Sequence, residues 1–178
     1  MTALSVNLNK VALVRNDAPY KTTQELIAYA KANPGKVTFG TNGEGAFLHF
    51  ATEYFSQMAG YEYLHVPYKA PPQMLQAVLT GEADGGIYAI GQLSAQIKAG
   101  KVRALAVTST ARLASFPDLP TVSETLRGFQ FTVWTGLDAP KGTPRTVIDQ
   151  VHAAVQAALA TPAMQKLYVD TSRTSYAF

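Results

Sequence analysis

Residues 36–50, KVTFGTNGEGAFLHF, place Gly40, Gly43 and Gly45 between an alternating apolar stretch and an apolar run with helical spacing. Glycines at such a junction let a strand turn sharply into a helix, and the first N–H groups of that helix have no partner inside it. Together with the helix dipole, these donors suit a carboxylate or a phosphate. The same glycines also fit a plain tight turn with Thr41 or Asn42 as helix cap, and the local sequence leaves both readings open. Two nucleotide readings fail on spacing. A P-loop needs Gly-Lys-Ser/Thr where this chain has Gly45-Ala46-Phe47, and a dinucleotide fingerprint needs a third glycine at Leu48. Glu44, inside the turn, would repel a phosphate dianion unless it points away; a monocarboxylate, or a ligand with an amino or amide group near its acid, would tolerate it better.

Residues for covalent or metal chemistry are sparse. His49, His65 and His152 form no HExxH arrangement, and His49 with Glu53 is a one-turn pair that reads first as a surface or cap contact. There is no G-x-S-x-G and no cysteine, which removes the usual nucleophiles. Asp84 before Gly85-Gly86 could act as a base, but reads more simply as a turn residue or an acceptor of N–H groups. Tyr68 and Lys69 end a strand and, in a parallel sheet, would reach the same edge as the glycine turn. Ligands of open α/β sheets bind beyond that edge.

The elements that must hold these residues follow from periodicity. NKVALVRND reads as a buried strand, and TTQELIAYAKANPG as a helix with Thr22 and Glu25 as a capping box. KVTFG is a second strand. Phe47, Leu48, Ala51, Tyr54, Phe55 and Met58 share one face of a helix closed by Gly60. YEYLHVPYK, a short helix around Met74 to Leu79, ADGGIYAI, GQLSAQIKAG and KVRALAVTS continue the alternation, predicting an α/β layer structure with parallel strands. TARLASFPDLPTVSETLRGF reads as a linker. QFTVWTGLDAP is strand-like, and TPRTVIDQVHAAVQAALATP is an amphipathic helix with Thr143 as cap and Pro144 in its first turn. The last residues, YVDTSRTSYAF, carry no clear pattern.

Composition bounds the function. The 178 residues are 47% hydrophobic and 15% charged, as in a globular domain, and no apolar run is long enough to span a membrane. A net charge of +3 with scattered Lys and Arg argues against nucleic acid. No stretch near Met1 has the makeup of a signal peptide, so none is expected in this chain.

Several strings together resemble a known family. PYKTTQELIAYAKANPGKVTFGTNGEGAFLHFATEYFSQMAG, HVPYK, GEAD, IKAGKVRALAVTSTAR, FPDLPTVSE and WTGLDAPKGTP are similar, in order from Val11 to Leu167, to the periplasmic substrate-binding proteins of tripartite tricarboxylate transporters, the Bug or TctC-like family. The resemblance implies a clamshell of periplasmic-binding-protein type II architecture that captures a small organic carboxylate and hands it to a membrane permease. On that pattern the chain is one complete α/β domain, residues 9–128, with residues 1–8 and 129–178 as a remnant of the other domain, truncated at both ends. It implies a periplasmic location, no cofactor, no metal and no catalysis.

Carried over by position, the ligand contacts are Thr41, Asn42, Gly43, Gly45 and Ala46, with His49 one turn on. Tyr68 and Lys69 follow at the next strand end, and Trp134 and Gly136 where the chain returns to the first domain. Tyr88 stands where the family commonly has Asp-Asn facing the ligand; it either stacks on a flat ligand or packs in the core. A lone domain is expected to bind weakly, at about millimolar affinity, since each charge-assisted bond lost costs about 1.5–3 kcal/mol. Two alternatives remain: a self-associating domain that dimerises through Thr143 to Leu159, and a hydrolase recruiting Asp84 with His49 or His65.

Overall fold

The computed structural model describes residues 4–8, 10–170 and 173–177. In chain order the elements are β1 (Leu4–Leu8), β2 (Lys10–Arg15), α1 (Thr23–Ala32), β3 (Thr38–Thr41), α2 (Phe47–Ala59), β4 (Leu64–Pro67), α3 (Pro71–Thr80) and β5 (Gly85–Ala89). They continue with α4 (Ser94–Lys98), β6 (Val102–Val107), α5 (Val122–Thr125), β7 (Val133–Thr135), α6 (Arg145–Leu159), α7 (Pro162–Asp170) and β8 (Arg173–Ala177).

A five-stranded sheet in the order β4-β3-β5-β2-β6 carries the main core. Strand β3 runs parallel to β4 and β5, whereas β2 runs antiparallel to both β5 and β6. The expectation of parallel strands throughout is therefore corrected to a mixed sheet. The continuous apolar run of β2 reports burial on both faces, which a central strand has in either direction. Because β2 is reversed, its first residue lies at the same edge as the last residues of β3, β4, β5 and β6. Lys10 pairs with Ala89 in register, and the Thr108 N–H donates to the Lys10 carbonyl. A second, antiparallel sheet has the order β7-β1-β8.

Helix α2 follows its apolar face into the sheet: Leu48, Ala51, Phe55 and Ala59 are buried. It ends at Gly60, whose φ of 68° is left-handed and cheap only for glycine. Helix α1 starts at its Thr22 cap, which accepts the Glu25 N–H, but Glu25 accepts from the Lys21 N–H, so only half of the expected capping box forms. The segment read as a linker is instead packed. Val122 and Phe129 are buried, Phe129 stacks on Tyr54 at 5.1 Å, and Thr121 with Glu124 makes a complete capping box on α5. Its prolines marked irregular backbone, not detachment. Thr143 does not cap α6: its hydroxyl turns back to donate to the Pro140 carbonyl, leaving Pro144 as the residue before the helix. The patternless end supplies the last residues of α7, from Tyr168 to Asp170, and the strand β8, which pairs with β1.

Candidate functional site

The glycine turn leaves the carboxyl end of β3 as the sequence predicts. Gly43 and Gly45 take φ values of 113° and 69°, a region in which side chains with a Cβ are strained. Gly40 serves differently: a Cβ there would lie 3.1 Å from the ring of Tyr68. The Tyr68 ring thus lies across the last turn of β3, its hydroxyl donating to Glu82. Helix α2 has Ala46 as its N-cap and no side-chain cap, so neither Thr41 nor Asn42 plays the capping role. The first N–H groups of α2 consequently face the turn without a side-chain acceptor.

Thr41 is fully buried, and its hydroxyl is 2.6 Å from His65 Nε2. The His65 ring stacks on His49 with centroids 4.1 Å apart and planes 7° apart. His49 Nδ1 in turn accepts the Gly45 N–H at 3.1 Å, while its Nε2 lies 3.5 Å from Glu53. Glu53 also accepts the Tyr63 hydroxyl at 2.6 Å. Burial, followed by the neighbouring His49, lowers the pKa of His65 below the ordinary imidazole range, with Glu44 and Glu53 pulling the other way. Thr41, Gly45, His49 and His65 thus form one cluster at the mouth of the turn. The side-chain oxygen of Asn42 is shielded from water with no hydrogen-bond partner, and Glu44 is exposed.

The other expected contacts separate into three groups. Lys69 is exposed, with its N–H committed to Gln73. Tyr88 is buried and donates its hydroxyl to the Met74 carbonyl, so its ring is a core element and is not presented for stacking. The Trp134 side chain lies outside the described residues. Its backbone pairs with Asn7 in β7, and Gly136 follows directly after that strand.

Two residues at this edge were not among the expected contacts. His65 is one, joined to the turn only through the β3–β4 register. Lys10 is the other, 2% exposed, with its ammonium 5.3 Å over the ring of Phe47 at the first turn of α2. A lysine leading a buried strand is a signal that the sequence carried.

Asp84 sits at the opposite edge. Its carboxylate accepts from the Thr38 N–H and hydroxyl and from Arg15 Nε, joining the starts of β3 and β5 to the end of β2. The length of β3, about 10 Å at 3.3 Å per residue, separates it from the histidines, so the hydrolase pairing of Asp84 with His49 or His65 is not assembled. Among the described residues no group of three His, Cys, Asp or Glu is placed to hold a metal.

A mixed sheet flanked by helices, with amide donors and a polar cluster gathered where strand ends meet a helix start, defines an α/β lobe of the periplasmic-binding-protein kind. The chain belongs to the tripartite tricarboxylate transporter family receptors, whose family model matches residues 3–177. That match runs past Leu167, so the closing segment also follows the family pattern. The chain is 34% identical over 175 residues to the UPF0065 protein of the tcbD-tcbE intergenic region of Pseudomonas sp. strain P51, covering 95% of this chain and 52% of that one. It is similar to the solved periplasmic binding protein BugD, with a TM-score of 0.85 and 33% identity over 97% of this chain and 58% of that one. It is similar also to R. palustris Rpa4515, solved with adipate, with a TM-score of 0.86 and 27% identity over 96% of this chain and 57% of that one. The chain spans little more than half the length of these relatives.

Proposed function

We propose that this chain is the ligand-holding lobe of a non-catalytic periplasmic solute-binding protein that captures a small organic carboxylate for the permease of a tripartite tricarboxylate transporter. One observation carries the reading: the uncapped start of α2 and the Gly45 amide converge on a turn whose backbone only glycine adopts easily. The adipate held by the R. palustris relative supports a small dicarboxylate as the class. Thr41, Asn42, Gly43, Gly45, Ala46 and His49 form the grip, and Tyr68, Lys69, Trp134 and Gly136 its rim. The domain reading fits as well. Residues 9–128 are the family's second domain, and the strands of the smaller sheet β7-β1-β8 all come from 1–8 and 129–178, the proposed remnant of the first.

The test is isothermal titration of the folded chain with mono-, di- and aromatic carboxylates, adipate included, beside Gly45→Val. Saturable heat that weakens about tenfold or more in the variant is expected, since valine is strained at the left-handed φ of Gly45 and misaims its amide, and one charge-assisted hydrogen bond is worth about 1.5–3 kcal/mol. No heat with any acid, in a chain shown to be folded, would overturn the reading.

A second reading is self-association. Helix α6 is 15 residues long with no buried residue, and Val147 and Val151 are 44% and 48% exposed. Such an apolar stripe is expected to find a partner surface, and a homodimer through Thr143 to Leu159 would supply it.

A further inference from the structure

The Gly45 amide, which the proposed grip would offer to a carboxylate, already has an acceptor: His49 Nδ1, 3.1 Å away. An imidazole nitrogen accepts only when it carries no proton, so this contact fixes His49 as neutral with its proton on Nε2, the atom facing Glu53 at 3.5 Å. We infer that the stacked His49 and His65 rings form a proton-operated latch on the Gly45 amide, so that capture of a carboxylate at this turn takes up a proton. The inference rests on the proposed placing of the carboxylate at this turn.

Protonation of His49 makes Nδ1 a donor. Two N–H groups then face each other, and the Gly45 amide must be released. The same event puts an imidazolium beside the freed amide, so the donor and the positive charge reach an incoming anion together. An arriving carboxylate works the same equilibrium from the other side: it replaces Nδ1 as the amide's acceptor and stabilises the protonated ring.

The surroundings keep the pair switchable. His65 lies parallel to His49 at 4.1 Å, so charging both rings of the stack at once is disfavoured. Burial and His49 disfavour charge on His65, whose Nε2 is tied to Thr41 at the end of β3. Glu53 on α2 and Glu44 in the turn favour charge on His65, and Tyr63 holds Glu53 in place through its hydroxyl. On β2, Lys10 lies over Phe47, and Lys69, after β4 at the same edge, is exposed.

The first test uses the ligand-free chain. The Gly45 amide and the His49 and His65 ring nitrogens are followed by NMR between about pH 5 and 8, where imidazoles titrate. The Gly45 resonance is expected to move with the His49 midpoint and its protection from solvent exchange to fall about tenfold on protonation; a Gly45 signal that stays flat while His49 titrates overturns the latch. The second test is titration with adipate in two buffers of different ionisation heat. Net proton uptake is expected, with affinity rising as pH falls, by up to about tenfold per pH unit for one proton, and whatever binding His49→Phe retains should carry no uptake. Binding with no proton uptake by the unaltered chain also overturns the latch. If Gly45 follows His49 but no acid binds, the latch stands and the carboxylate function falls. Should the variant fail to fold, the amide titration of the unaltered chain decides alone.

Discussion

Asp84 and Gly85 occupy adjacent positions and constrain the sheet in different ways. Asp84 joins three strands through Arg15 and Thr38, so Asp84→Ala leaves the partly buried Thr38 N–H without its acceptor and Arg15 with only the exposed Asp17. The expected loss is about 2–3 kcal/mol in urea unfolding, with the carboxylate affinity changed only through stability, because the residue sits at the far edge from the turn. Gly85 has no room for a side chain: a Cβ there would meet the Leu13 carbonyl at 2.4 Å. Gly85→Ala should cost about 1–3 kcal/mol, the range for overpacking, and a variant as stable as the parent would show that β2 and β5 can separate. Sequence made Asp84 legible as an N–H acceptor because Asp before glycines is a local pattern. It left His65 hidden, since the contact with Thr41 and His49 depends on which strands are neighbours and in what register. Tyr88 was ambiguous for the same reason: nothing local says that the Met74 carbonyl waits for its hydroxyl.

Helices were the elements most readable from sequence, because their apolar spacing and their stops are local. Leu48, Ala51 and Phe55 marked the buried face of α2, and Gly60 marked its end. Strand direction was not readable, and β2 shows why: five buried residues in a row suit a central strand pointing either way. The capping boxes divide similarly. Thr22 and Glu25 have the right spacing, yet Glu25 bonds one residue further back, whereas Thr121 and Glu124 close fully inside a stretch read as linker.

The Thr121 box carries a prediction about acid. Two hydrogen bonds from Arg112, followed by the Thr121 N–H, hold the Glu124 carboxyl down to about 2, from 4.5. A folded-state pKa below the unfolded one contributes stability that is complete above about pH 4.5 and is lost as pH falls toward about 2. The urea midpoint should therefore drop over that window in the parent and less in Glu124→Gln. The pair is solvent-exposed, so the difference should shrink in about 1 M salt, where screening is within about 3 Å. An identical acid slope in both proteins would remove Glu124 from the account.

At the scale of the whole molecule, helix α6 departs from the rule that an amphipathic helix buries its apolar stripe. Val147 and Val151 lie open, Ile148 and Val155 are only half-covered, and no residue of the helix is buried. The helix ran as its periodicity said it would, so the sequence announced a face that needs covering without naming what covers it. Pairing two such faces across a two-fold axis would bury the valines of each copy against the same stripe of the other, the self-complementary geometry of a symmetric dimer. A fully buried valine side chain contributes about 1.5–3 kcal/mol relative to exposure, and the entropy of association consumes much of what a few such residues provide. The dimer is therefore expected to be weak and concentration-dependent. Sedimentation or light scattering from about 1 to 100 μM should show mass rising with concentration in the parent. Val151→Glu, which puts a charge into the apolar stripe of both copies, should stay monomeric over that range with unchanged helix content and unchanged carboxylate affinity. A parent that is monomeric throughout would leave the stripe uncovered by its own copy and end the dimer reading. A dimer that survives Val151→Glu would move the interface off α6 to another face.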